Sequence, residues 1–118
     1  MLIETNSTEN IKQQLLYEVN KIPAGKVLSY GEIGARVGIS GWIAGRILSG
    51  MTEEEMKQYA WQRVVNKQGY ISALKLGFKG NLQIELLRAE GIEIPDSTID
   101  MGKYLWREEA VVKSISSI

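Results

Sequence analysis

A mainly α fold with one small β hairpin is what the sequence predicts. Three observations lead there. Apolar residues recur at helical spacing in several segments, two short helical segments flank a glycine-bearing break, and a β-branched run precedes a cluster of turn residues. The 118 residues, 44% of them hydrophobic, suffice for one small core and not for two.

Taken in order, the first helix carries Ile11, Leu15, Val19 and Ile22 on one side, with Asn6 or Ser7 as its cap. Pro23-Ala24-Gly25-Lys26 ends it, because Pro23 has no amide donor and Gly25 suits a turn. Val27-Leu28 is a brief extended piece. Ser29-Tyr30-Gly31-Glu32 reads as a capping box, in which Ser29 accepts from the amide three residues on and Glu32 reaches back. It opens a second short helix that buries Ile33 and Val37. Gly38-Ile39-Ser40-Gly41 is a break that offers Ser40 as a cap, and a third helix follows from about Trp42 to Ser49. Two short helices joined this way match the helix-turn-helix pattern, which DNA-binding proteins share with many small helical domains.

Residues 49–58 form a polar loop or a short helix. Its acids, Glu53-Glu54-Glu55, are expected in solvent, where they would repel phosphate. Arg63-Val64-Val65 and Tyr70-Ile71-Ser72 are the expected hairpin strands across Asn66-Lys67-Gln68-Gly69. Residues 75–80 read as an exposed loop. Asn81 then caps a last helix bearing Leu82, Leu86 and Leu87, with Gly91 as its terminal glycine. Residues 95–100 read as a linker and 101–106 as an anchored end. Residues 1–106 are thus one domain, and 107–118 a frayed tail.

Composition removes much chemistry. With no cysteine and no histidine there is no disulfide, thiolate nucleophile, Cys/His zinc site or imidazole base. An enzyme made from this chain would depend on carboxylates, lysine, tyrosine or serine, and neither cofactor nor metal is expected. The formal net charge is zero, yet no acid lies between Met56 and Ile84, where Lys57, Arg63, Lys67, Lys75 and Lys79 fall. The first residues lack the pattern of a signal peptide, and no uncharged run is long enough to span a bilayer. A soluble, cytoplasmic, monomeric protein with no membrane partner is the expectation.

At Ala60-Trp61-Gln62-Arg63-Val64-Val65-Asn66 the sequence resembles the active-site segment of the O6-alkylguanine-DNA alkyltransferases, whose motif is Pro-Cys-His-Arg-Val. It resembles more closely the alkyltransferase-like proteins, in which tryptophan stands at the place of the alkyl-accepting cysteine. Ile22-Pro23-Ala24-Gly25-Lys26-Val27 followed by Ser29-Tyr30-Gly31-Glu32-Ile33 is similar to the family's entry segment. Ala44-Gly45-Arg46-Ile47-Leu48 is similar to its recognition helix, Leu86-Leu87 with Glu90-Gly91-Ile92 to its last helix, and Tyr104-Leu105-Trp106 to its carboxyl end. Together these span the chain from about Tyr17 to Trp106.

The resemblance implies a winged-helix-like domain whose recognition helix enters the minor groove while a damaged guanine turns into a pocket. The implied pocket residues are Tyr30, Trp61, Arg63, Asn66, Tyr70, Ser72 and Leu74. The implied DNA contacts are Tyr30, Ser40, Gly41, Trp42, Gly45, Arg46 and Lys67. Tyr30 would press on a phosphate at a helix start, and Gly41 and Gly45, lacking Cβ, would let the helix approach the groove floor. Asn66 would bridge loop amides or act as a plain turn residue. Tyr70, Ser72 and Leu74 line the pocket or simply pack the wing.

An indole cannot accept an alkyl group as a thiolate does, and Gln62 cannot relay a proton. Ile84 falls where the enzymes carry a glutamate. The family's groove-filling arginine aligns with Trp42 or with Ala44, depending on the anchor. Trp42 is then either an aromatic wedge or a packed corner residue, with Arg46 as a substitute one turn on. A basic residue common after the hairpin aligns with Leu74, next to Lys75.

The function implied is non-enzymatic: binding double-stranded DNA with an alkylated guanine, flipping the base beside Trp61, and flagging it for nucleotide excision repair proteins. The alternative is a degenerate winged-helix module that binds DNA nonspecifically, or binds a protein, without base flipping. The lost arginine, the acids and the zero net charge favour that alternative.

Overall fold

The computed structural model describes residues 8–71 and 78–107. The expected caps Asn6 and Ser7, the pocket candidates Ser72 and Leu74, and residues 108–118 lie outside the described residues. Helix α1 (Thr8–Val19) buries Leu15, Leu16 and Val19, and Ile22 follows them into the core. Gly25, at φ +87°, turns the chain into strand β1 (Leu28–Ser29). The capping box forms as expected: Ser29 Oγ accepts from the Glu32 amide at 3.1 Å, and the Ser29 amide donates to Glu32 Oε1 at 3.0 Å. It opens α2 (Tyr30–Ala35).

Helix α3 (Gly41–Ser49) starts at its Ser40 cap, whose Oγ accepts from the Ile43 amide. The turn between α2 and α3 is tight enough to exclude side chains. A Cβ on Gly34 would lie 2.7 Å from the Ile39 carbonyl oxygen, and one on Gly41 2.9 Å from the Gly31 nitrogen. Residues 53–58 resolve as a helix, α4 (Glu53–Gln58), opened by a second capping box between Thr52 and Glu55. Its three consecutive acids occupy the first turn, where the helix dipole favours negative charge.

A 3-10 turn (Trp61–Arg63) leads into strand β2 (Val64–Val65). The strands correct the expected hairpin. β2 pairs in parallel with β1, Leu28 opposite Val64 and Ser29 opposite Val65. Tyr70 instead bridges Thr98 in antiparallel sense. The Ile71 amide donates to the Ser97 carbonyl and the Ile99 amide to the Gly69 carbonyl, so the chain after the last long helix takes the groups a hairpin would have used.

Successive strand residues point to opposite faces, so this small sheet divides the core into two clusters. Leu28 and Val64 join Leu15, Leu16, Ile33, Leu48 and Trp61 on one side. Val27 and Val65 join Ile71, Leu87, Ile92, Ile99 and Tyr104 on the other. Helix α5 (Phe78–Ala89) begins before Asn81, which is therefore an exposed interior residue and not its cap. Packing of Ile84 and Leu87 outweighs the glycine at position 80. Gly91, at φ +93°, ends α5, and the Ile92 amide reaches back to the Leu87 carbonyl.

The expected linker is structured: Ile92, Ile94 and Ile99 are buried around a 3-10 turn (Pro95–Ser97). Helix α6 (Met101–Tyr104) is capped by Asp100, and its Tyr104 hydroxyl accepts from the Glu93 amide at 3.1 Å. The Val27 amide donates to the Tyr104 carbonyl and the Trp106 amide to the Val27 carbonyl, which pins this end beside β1. No helix among the described residues is long and apolar enough to cross a membrane.

Candidate nucleic-acid interface

Trp61 is held by the segment that precedes it. The Asn20 side chain, just past α1, accepts from the Ala60 amide at 2.8 Å and donates to the Gln58 carbonyl at 3.2 Å. The Trp61 amide closes on the Tyr59 carbonyl at 2.8 Å, across an inverse γ-turn at Ala60. The indole is nearly buried, at 7% exposure, and forms a partition between two cavities. One is a recess of about 70 Å³ walled by Tyr30 and by Gly45 and Leu48 of α3. The other is an apolar cleft of about 780 Å³ between α4 and α5, with Met56, Tyr59, Leu82 and Leu86 on its walls. Lys79 of α5 borders both, its Nζ 5.7 Å from the centre of the Trp61 ring. Burial raises the Tyr30 pKa above its ordinary value, so its hydroxyl keeps its proton at neutral pH.

Helix α3 forms one wall of the recess and turns its other face outward. Ala44 and Leu48 point into the core, whereas Trp42 is 70% exposed. The Arg46 guanidinium stacks on the Trp42 ring at 5.0 Å, one helical turn away. Of the two places for the missing arginine, position 44 is inside the protein and position 42 is on its surface. Trp42 is not a packed corner residue.

The missing Cβ of each of the two glycines in α3 faces α2. Gly41 faces the backbone of α2, so its missing Cβ permits helix–helix contact. Gly45 faces the ring of Tyr30, where a Cβ would sit 3.8 Å from Cδ1.

Arg63 does not join Tyr30 and Trp61. Its Nε donates to both oxygens of Glu90 at 3.1 Å, and a terminal nitrogen donates to the Ile22 carbonyl at 2.7 Å. Glu90 also accepts from Gln62 Nε2 at 2.8 Å and from the Gly25 amide at 2.9 Å. Gln83, buried behind this turn, donates to the carbonyls of Gln62 and Val64. The carboxylate thus binds the 3-10 turn to the turn after α1. Asn66 is a loop bridge: its side chain accepts from the Tyr70 amide at 3.0 Å and donates to the Tyr70 carbonyl at 2.9 Å. Tyr70 is 49% exposed and, like Asn66 and Arg63, lines neither cavity. Lys67 is exposed at the tip of the 66–69 turn, and Ser40 is spent on its cap. Of the expected pocket set, the structure brings together Tyr30 and Trp61. Sequence reasoning missed Asn20, Lys79, Gln83 and Glu90.

Comparison with known proteins decides what this arrangement belongs to. The family described as "6-O-methylguanine DNA methyltransferase, DNA binding domain" matches residues 10–92. The chain belongs to that family. Within it, the chain is 38% identical over 97 residues to a "DNA base-flipping protein" of Vibrio parahaemolyticus, covering 80% of this chain and 93% of the relative. It is 30% identical over 96 residues to "Alkyltransferase-like protein 1" of Schizosaccharomyces pombe, covering 75% and 87%.

The fold superimposes on S. pombe Atl1 in complex with damaged DNA containing O6-carboxymethylguanine. The TM-score is 0.76 at 27% identity, over 85% of this chain and 97% of Atl1. The M. tuberculosis O6-methylguanine methyltransferase shares the fold at TM-score 0.54 and 23% identity, over 69% of this chain and 48% of the enzyme. The likeness to alkyltransferase-like proteins that the sequence motifs carry is therefore shown, and so is the mainly helical fold. Unlike a family member that accepts an alkyl group on sulfur, this chain has no cysteine. Among its described residues no group of three or more His, Cys, Asp or Glu could hold a metal ion.

Proposed function

We propose that this protein binds double-stranded DNA through α3, turns an O6-alkylated guanine out of the stack, and holds it against Trp61 without reacting with it. The observation that carries this reading is the position of Trp61: a nearly buried indole closing a recess whose opposite wall is the recognition helix. Flipping costs a few kcal/mol, and less for a base whose pairing is already damaged. On the surface of the same helix, Trp42 backed by Arg46 is suited to fill the gap left in the stack, as apolar wedges do. Tyr30, at the start of α2, meets a phosphate as a neutral donor. The complex of Atl1, whose fold this chain shares, with damaged DNA supports a DNA-binding role.

Alkyl transfer has no acceptor here, because the chain contains neither cysteine nor histidine. The protein then acts as a monomeric, cytoplasmic marker of the lesion, and nucleotide excision repair proteins are its downstream partners. The acids of α4 and the zero net charge favour a second reading, a module that binds DNA weakly without flipping.

Titration of two duplexes, identical except for one O6-methylguanine, separates the two readings by gel shift and tryptophan emission at low salt. Tighter binding to the lesion with altered emission is expected. Equal affinity for both duplexes would overturn base flipping. Incubation with duplex carrying a labelled alkyl group should leave the protein unlabelled.

A further inference from the structure

Holding a base against Trp61 leaves Lys79 without a role. It is the one residue bearing a full charge on the recess walls among the described residues, and no carboxylate lines that recess. On the larger cleft, Glu53 and Lys57 are also present. The ammonium stands over the Trp61 ring, within the range of a cation–π contact. Its hydrogen bond to the Ser49 carbonyl is 3.5 Å long, well beyond a strong N–H···O bond, and it has no ion pair among the described residues. The cation is therefore poised at the junction of both cavities and is weakly committed to either wall.

We infer that a base held against Trp61 directs its O6 substituent toward this junction, that Lys79 is a specificity-determining residue there, and that the O6 substituents it selects are anionic, a carboxyalkyl group before a neutral alkyl group of similar size. This inference rests on the base-flipping reading above. The physical basis is that a carboxylate accepting from an ammonium in a largely apolar site forms a charge-assisted hydrogen bond, which a methyl terminus cannot form. Neither Tyr30 nor Gln83 can replace that charge. Gln83 has both amide hydrogens engaged by backbone carbonyls.

Three duplexes test this, carrying guanine, O6-ethylguanine or O6-carboxymethylguanine at one position, titrated with the full chain and with the K79M and K79R variants. The wild-type protein should prefer carboxymethyl to ethyl by roughly tenfold, a factor worth about one charge-assisted bond. K79R should keep that preference, and K79M should reduce the ratio to near one. Loss of a general phosphate contact would weaken both lesions alike and cancel in the ratio. Equal affinity of the wild type for the two lesions, or an unchanged ratio in K79M, would overturn the role of Lys79. If ethylguanine is nonetheless preferred to guanine, base flipping survives. Equal binding of all three duplexes removes both.

Discussion

Trp61 and Arg63 share one 3-10 turn, and the two residues face opposite tasks. The indole of Trp61 closes an apolar recess and contacts a cavity on each side. The guanidinium of Arg63, two positions on, is consumed by Glu90 and the Ile22 carbonyl, with the pair only 18% and 12% exposed. A charged residue in a DNA-binding motif therefore builds the scaffold, while the uncharged aromatic residue beside it presents the site. The difference follows from desolvation: a cation this enclosed needs its partner at full occupancy, which leaves nothing for a phosphate.

The sharpest way to break this contrast is at Glu90. Replacing it by alanine strands the Arg63 cation and unpairs Gln62 and the Gly25 amide. The expected loss is about 3 kcal/mol of stability, read by thermal or urea denaturation. An unchanged midpoint would mean that Arg63 is free to turn toward DNA. The more conservative Glu90→Gln should lose less, since it keeps the acceptor for the Gly25 amide.

The two glycines of α3 repeat the contrast on a smaller scale. Gly41→Ala would force a methyl to 2.9 Å from the Gly31 nitrogen, a backbone atom that can yield only if α2 moves. We expect about 2 kcal/mol of destabilisation. Gly45→Ala places its methyl at an ordinary contact distance from the Tyr30 ring, so stability should change by less than about 0.5 kcal/mol. Equal effects at the two positions would show that the helices are not locked at Gly41.

Trp42→Ala asks the converse question, whether an exposed residue matters to binding. Trp42 is 70% exposed and, among the described residues, its ring stacks on Arg46, so stability should fall by less than about 1 kcal/mol. Lesion affinity should drop about tenfold if Trp42 fills the vacated stack. A variant that folds and binds the lesion as tightly as the wild type would remove the wedge.

Local chemistry was legible in the sequence where it is self-contained. The Ser29–Glu32 box needs four consecutive residues and formed as read. The Thr52–Glu55 box carries the same signal, and it distinguishes a helix from a loop at 53–58 once three acids are seen as a favourable first turn. The strand partners were not legible, because two-residue strands contain no periodicity to set sense or register. Glu90 was equally hidden. An acid at the end of a helix is ordinarily solvated, and only the return of α5 to the turns at Gly25 and Gln62 makes it a keystone. The motif groups Trp61 with Tyr30, and in the structure the two line one recess. Lys79 lay unmarked among other lysines, since its meaning comes from standing over a ring 18 residues away in sequence.

The smallest effect concerns Tyr30. Burial raises its pKa in the folded protein above the ordinary 10.0, so the unfolded chain ionises first as pH rises. Below that ordinary pKa both states keep the proton and Tyr30 adds no pH dependence. Above it the unfolded state binds fewer protons, and stability declines with increasing pH. Other tyrosines and lysines titrate in the same range, so the informative quantity is the difference between wild type and Tyr30→Phe. The variant should resist alkaline unfolding slightly better above about pH 10 while matching the wild type near neutrality. Parallel pH profiles for the two proteins would mean that the phenol reaches water, and that it meets a phosphate from an open surface and not from the wall of the recess.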